Sequence, residues 1–354
     1  MAIEELATTI LKEADIRGVN DIHILPKSTE YQLFFRVSGQ LLLWLTISLE
    51  QGIRLIAYFK FLSDMDVGEK RFPQTSSSTM KLDGKAKALR FSTITDFHHQ
   101  ESLVIRLLHQ VQKHTLEQTA YFPRQIKELE QLIKRKSGLL LFSGPVGSGK
   151  TTTMFQLIKE SLVHEERQVF TVEDPVEIEE PRFLQTQVNQ KAGISYEALL
   201  KASLRHHPDI IVVGEIRDTE TAKMVIRGAL TGHLVISSIH AKNASGVLSR
   251  LGELGISLNQ LQQTLIGIVS QKLVPRRCSL CEGTCRLCCT HLSVYEKRSV
   301  LYEITTGRQL EKLGRQKEVG VVADHQRGSF NSYLRKAYSY GFITEDGYQK
   351  NRLY

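Results

Sequence analysis

The stretch Gly144-Pro145-Val146-Gly147-Ser148-Gly149-Lys150-Thr151 constrains this chain more than any other. It fits G-x-x-x-x-G-K-[ST] at every fixed position, the pattern of a loop that wraps a phosphate. The apolar run Gly138 to Ser143 precedes it and reads as a buried strand. Thr152 to Lys159, free of Gly and Pro, follows and reads as a helix. Strand, glycine loop and helix have a joint physical meaning. Glycines let successive backbone N–H groups curl round an anion, and the helix turns its positive end toward it. Gly144, Pro145, Val146, Gly147, Ser148, Gly149, Lys150, Thr151 and Thr152 are therefore candidate nucleotide contacts. Lys150 can reach the outer phosphates, and the Thr151 hydroxyl is a candidate magnesium ligand.

A phosphate cradle becomes a reaction site only with a carboxylate for water or metal and with cations for developing charge. Asp209 to Gly214 reads as a buried strand that ends in Glu215. That position is the rim where parallel sheets bind ligands, and Glu215 is the candidate for orienting and activating water. Thr171-Val172-Glu173-Asp174-Pro175 ends another apolar run. Its carboxylates suit a magnesium ion or its waters, although Asp-Pro at a strand end is also an ordinary turn. His233 and His240 stand at opposite ends of Leu234 to Ile239, and spacing alone leaves each open to a structural or a functional role.

The rest of the chain organises around this core. Residues 1–110 read as a small α+β unit, with a helix over Ile3 to Ile16 and strands at Asp21 to Pro26 and Tyr31 to Val37. Ser38-Gly39 is expected to turn into a strand over Gln40 to Ile47. Gln51 to Leu62 reads as an amphipathic helix, Thr75 to Thr79 as a polar hairpin or loop, and Ala88 to Thr95 and Ser102 to Leu108 as strands. Residues 111–122 read as a linker. From Pro123 to Leu254, strand-like and helix-like runs alternate, which predicts a parallel sheet wrapped by helices. Leu258, Leu261, Leu265 and Ile268 predict one long helix, and the last sixty residues read as polar and helix-rich.

Bulk properties narrow the function. The chain has 354 residues and a net charge of +8, which suits anionic partners without singling one out. No apolar run approaches a membrane span, and no basic and apolar leader opens the chain, so a cytoplasmic protein is expected. All five cysteines fall between Cys278 and Cys289. Cys278-x-x-Cys281 and Cys285-x-x-Cys288 can offer four thiolates to tetrahedral zinc, with reduced thiols as the other reading. Three residues between the two pairs make a tight loop.

These stretches together resemble the secretion ATPase superfamily, the hexameric motors of type II secretion, type IV pili and competence pili. Glu173 to Glu177 resembles the family's Asp box. Pro208 to Asp218 resembles its Walker B segment, with Gly214-Glu215 in place of the usual terminal Asp. Ala229 to His240 resembles its His box. Asp21-Ile22-His23, Arg36 with Gly39, Asp66 through Arg71-Phe72-Pro73-Gln74, Arg90 to Thr93, and Glu101 with Val104-Ile105-Arg106 extend the likeness, which runs from about residue 15 to about 290. Gln271-Lys272-Leu273-Val274 resembles the run that precedes a tetracysteine zinc site in assembly motors. Phe97 to Gln100 depart from the family's glycine-containing turn, and His206-His207 depart from its usual pair before Pro208.

The resemblance implies a RecA-like P-loop ATPase domain over 123–354, preceded by a PAS-like α+β domain. It implies ATP and magnesium as ligands, zinc at Cys278, Cys281, Cys285 and Cys288, and catalytic roles for Glu215, Glu173 and His233, with His240 contacting nucleotide. Arg90 and Arg106, otherwise ordinary strand arginines, become candidate arginine fingers. A short amino-terminal part plus a cysteine cluster most resembles the Gram-positive competence-pilus assembly branch. That branch implies a homohexamer acting through an inner-membrane platform protein on pilins, peripheral at the membrane, with no direct nucleic-acid binding. A retraction-type motor and a nucleotide-gated scaffold with little turnover are the alternatives.

Overall fold

Helical spacing of apolar residues builds α1 (Ile3–Ile16), which buries Leu6, Ala7, Ile10, Leu11 and Ala14. The computed structural model describes residues 2–37, 40–108, 115–189, 192–281, 283–284, 296–319 and 328–353. These residues divide into two units, one ending at 108 and the other starting at 115.

In the first unit α1 is followed by β1 (Asp21–Pro26), β2 (Glu30–Val37), β3 (Gln40–Ser48), α2 (Leu49–Leu62), β4 (Gln74–Leu82), β5 (Lys85–Thr95) and β6 (Glu101–Leu108). The strands form one antiparallel sheet in the order β3-β2-β1-β6-β5-β4. Strand β2 alternates strictly, sending Tyr31, Leu33, Phe35 and Val37 into the core. Helix α2 starts at a capping box between Ser48 and Gln51 and buries Leu55, Ile56 and Phe59 against the same core. Its Lys60 is fully buried, with Nζ 2.7 Å from Glu101 Oε1 and 2.7 Å from the Glu69 carbonyl. The expected turn at Ser38-Gly39 lies outside the described residues.

Of the two readings of Thr75 to Thr79, the hairpin holds and the loop does not: the run is the middle of β4, paired with β5 from Gln74↔Thr93 to Leu82↔Lys85. The run is polar on both faces because β4 is the sheet edge, where only Leu82 is buried. Asp83 and Gly84, at φ 47° and 78°, make the two-residue turn that fixes its register.

The second unit contains α3 (Leu116–Thr119), α4 (Pro123–Ile133), β7 (Gly138–Ser143), α5 (Lys150–Ser161), β8 (Val169–Glu173), β9 (Phe183–Gln187), α6 (Tyr196–Ser203), β10 (Ile210–Val213), α7 (Thr219–Leu230), β11 (Leu234–Ile239), α8 (Ala244–Glu253), α9 (Leu258–Thr264), β12 (Leu265–Pro275), β13 (Arg277–Cys278), β14 (Gly283–Thr284), β15 (Arg298–Thr306), α10 (Gly307–Val319), α11 (Phe330–Ser339) and α12 (Glu345–Asn351). Its large sheet runs β15-β12-β7-β11-β10-β8-β9. All neighbours are parallel except β12 and β15. Period two splits β7 between two cores. Leu139 and Leu141 face one layer of helices, Leu140 and Phe142 the other. All four are fully buried, each contributing roughly 2 kcal/mol. The α/β expectation therefore holds, as does the smaller α+β unit before it.

The long helix expected from Leu258 to Ile268 is a correction. Helix α9 stops at Thr264, and Leu265 opens β12. Leu261 and Leu265 are spaced for a helix, but Ile266-Gly267-Ile268-Val269 is β-branched and glycine-broken, and pairing with β7 wins. The last sixty residues hold the edge strand β15 as well as helices, and α3 lies inside the stretch read as a linker. Among the described residues no helix is long and apolar enough to cross a membrane.

Candidate active site

The carboxyl ends of β7, β8, β10 and β11 meet along one rim, because these strands are parallel and adjacent. The glycine loop leaves β7 there. Gly144, Gly147 and Gly149 have φ of 143°, 73° and 83°, conformations that side chains resist. At Gly144 a Cβ would lie 2.3 Å from the Gln271 carbonyl oxygen of β12, so that position has no room either. Pro145 and Val146 are exposed at the loop tip, while Ser148 is buried. Thr151 is half-buried and Thr152 exposed in the first turn of α5.

Lys150 bends into this loop. Its Nζ donates to the Gly144 carbonyl at 2.9 Å and the Pro145 carbonyl at 3.2 Å. Burial lowers its pKa, opposed by the negative charges of Glu215 and Glu177. A buried ammonium held only by neutral carbonyls is incompletely compensated, and a phosphate in the loop supplies the missing charge.

Glu215 stands two residues past the end of β10, in a segment fixed by Gly214 N donating to Val172 O and Ile216 N donating to Ser238 O. One carboxylate oxygen accepts a short bond from the Arg217 guanidinium. The other lies 3.3 Å from His240 Nε2. Arg217 also reaches Asp174 at 3.6 Å, and its bond to Glu215 is the chief cause holding its pKa up. Glu173, the last residue of β8, is buried, and its Oε1 accepts from Thr171 Oγ1 at 2.6 Å and Gln185 Nε2 at 3.0 Å. Burial raises its pKa, opposed by these two bonds.

The rim therefore brings together Lys150, Glu173, Glu215 and His240, with Asp174 beside them. His233 stands apart from this group. It precedes β11 at the amino edge, where its carbonyl accepts from Gly138 N, the first residue of β7. The six-residue strand β11 separates it from His240, about 20 Å at the usual rise. Its Nδ1 lies 3.1 Å from Thr231 Oγ1 and 3.2 Å from the Gly228 carbonyl, closing the end of α7. Within the subunit it does not join the carboxylates.

Arg90 and Arg106 belong to the first unit, where they stand directly opposite each other on β5 and β6. Arg106 Nε contacts Asp21 Oδ1 at 2.7 Å. Asp21 is also opposite Arg36 on β2, so one row across the sheet carries three arginines around one acid.

Magnesium chemistry fits the rim. Thr151, Glu173, Asp174 and Glu215 are oxygen donors, and magnesium takes much of its shell from phosphate and water. Among the described residues no three His, Cys, Asp or Glu side chains converge as a ready cage. Of the expected zinc ligands, Cys278 is buried in the β13–β14 hairpin and Cys281 is half-buried at its turn. Cys285 and Cys288 lie outside the described residues.

Sequence reading missed two supporting groups. Gln185 comes from β9, an element with no strong pattern. Gln271 reaches the loop from β12, with Nε2 donating to the Ser148 carbonyl at 2.8 Å, across a separation no local pattern reveals.

Residues 1–341 match the Type II/IV secretion system protein family. The chain is 40% identical over 349 residues to Competence protein ComGA of Bacillus subtilis strain 168, covering 99% of this chain and 98% of that one. It is 37% identical over 284 residues to the Type II secretion system ATPase E of Vibrio cholerae, covering 79% of this chain and 56% of that one. The X-ray structure of the Legionella pneumophila ATPase DotB superposes with a TM-score of 0.72 at 20% identity, over 98% and 95% of the two chains. The pilus retraction motor PilT with bound ADP does so at 0.64 and 23%, over 97% and 96%. Both likenesses concern the fold.

Proposed function

The chain belongs to the Type II/IV secretion system protein family and is an ATPase, and on that premise we propose that it is the motor that assembles a competence pilus for DNA uptake. The observation that carries this reading is the 40% identity to a competence protein across nearly the whole of both chains. The site chemistry supports it. Loop N–H groups and Lys150 hold the β- and γ-phosphates, and Thr151, Glu173 and Asp174 would hold magnesium or its waters. Magnesium, when bound, neutralises charge that builds on the phosphoryl oxygens. Glu215 orients the attacking water and takes its proton. Arg217 fixes one of its oxygens, so the oxygen facing His240 is the one that turns to the water. His240 contacts the terminal phosphate.

Arg90 and Arg106 act as arginine fingers delivered by the first unit, so that closure of that unit and hydrolysis depend on each other. The working form is a homohexamer in the cytoplasm, held at the membrane by a platform protein that inserts pilins. DNA is not a direct ligand. A structural zinc held by Cys278, Cys281, Cys285 and Cys288 would close the β13–β14 hairpin, and metal analysis of the purified chain tests it with one zinc per chain expected. The motor reading is tested by turnover. The purified protein should hydrolyse ATP, and a cell carrying only Lys150→Ala should fail to take up DNA. ATP binding without turnover, even with the platform protein present, would instead identify a nucleotide-gated scaffold.

A further inference from the structure

Gln271 sits on β12, the strand beside the one that launches the phosphate loop, and it is 2% exposed. Its contacts with the loop fall at both ends. The backbone carbonyl presses against Gly144, where a Cβ would come within 2.3 Å. The side-chain Nε2 donates to the Ser148 carbonyl at 2.8 Å and lies 3.6 Å from where a Gly149 Cβ would be. Two polar atoms of this pair are buried without any partner, Gln271 Oε1 and Ser148 Oγ.

A residue that only filled this space would be better as Met or Leu, because an amide with an unpartnered oxygen is unfavourable in a core. The donor half of the amide must therefore matter. Its target explains why. The Ser148–Gly149 peptide is trans, so its carbonyl and its N–H point in opposite directions. Holding the Ser148 carbonyl toward β12 turns the Gly149 N–H away from β12, into the curl of the loop. The hydrogen bond also polarises that peptide and strengthens its N–H as a donor.

We propose that Gln271 is the positioning residue of the phosphate loop: by holding the Ser148 carbonyl, its side-chain amide aims the Gly149 N–H at the phosphates of the bound nucleotide. Affinity for the phosphate tail thus depends on a strand outside the glycine motif. The proposal rests on the nucleotide-binding reading above. It adds a residue, on a different element, that touches no nucleotide itself.

The test uses the full chain and two variants of nearly equal volume. Gln271→Met removes the donor, and Gln271→Glu replaces it with acceptors. Calorimetric binding of ADP and ATP with magnesium, the unliganded melting midpoint, and KM and kcat for ATP are measured for each. Loss of one buried hydrogen bond predicts roughly tenfold weaker binding for Gln271→Met. KM should rise by the same factor with kcat within about twofold, because the lost interaction serves ground state and transition state alike. The unliganded midpoint should not fall. Gln271→Glu should bind more weakly still, since it sets a carboxylate beside the phosphates. Equal affinity in wild type and Gln271→Met overturns the proposal, and so does a fall in kcat at unchanged KM. Wild type that binds no better than Lys150→Ala overturns the nucleotide reading itself, a separate failure.

Discussion

The two ends of β11 carry a histidine each, and they differ in every respect that matters for chemistry. At the carboxyl end His240 faces Glu215, next to Arg217, Asp174 and the lysine of the loop. At the amino end His233 meets a threonine hydroxyl and a helix carbonyl, which is how a helix end is tidied. The same residue type, six residues of one strand apart, faces a carboxylate at one edge and closes a helix end at the other. In a parallel sheet all strands point the same way. Every loop that follows a strand therefore gathers at one rim, and that rim collects the positive-φ glycines of the phosphate loop and the charges.

The largest break of this contrast comes from the loop. Lys150→Ala removes the only cation inside the glycine curl among the described residues. It should weaken ATP binding by about a hundredfold or more, read by calorimetry. His240→Ala leaves the cradle intact and loosens only Glu215 and the terminal phosphate. A fall in kcat of about tenfold is expected, with ADP affinity unchanged.

Glu173→Gln sharpens the electrostatic side of the comparison. Burial raises the Glu173 pKa from its ordinary 4.5, so the folded chain favours the protonated acid. Its contribution to stability is complete below pH 4.5 and is lost as pH rises through the raised value. Thermal melts across pH should show Glu173→Gln matching wild type in acid and exceeding it at neutral and alkaline pH. The smallest effect belongs to the amino edge. His233→Ala should leave kcat and KM of the subunit's own site within about twofold, and a tenfold loss would show that this edge takes part after all.

Much of this was legible beforehand for a physical reason. The loop, Glu215 and Glu173 each follow an apolar run, and a buried parallel strand is a short, local signal. What escaped was non-local. Thr75 to Thr79 looks like loop because an edge strand needs no apolar face, and only its pairing with β5 makes it a strand. Leu258 to Ile268 keeps helical spacing through the very residue where β7 captures the chain. Gln271 holds a loop more than a hundred residues earlier.

Glu215 is where the assignment of the carboxyl rim is most exposed to test. ATP binding and ATP turnover should be measured in parallel on wild type and Glu215→Gln, which keeps shape and hydrogen bonding but cannot take a proton. Affinity should stay within about threefold while turnover falls by a hundredfold or more, the usual worth of a positioned base. A Glu215→Gln protein that hydrolyses ATP at the wild-type rate would contradict the assignment of the carboxyl rim as the place where the water is activated.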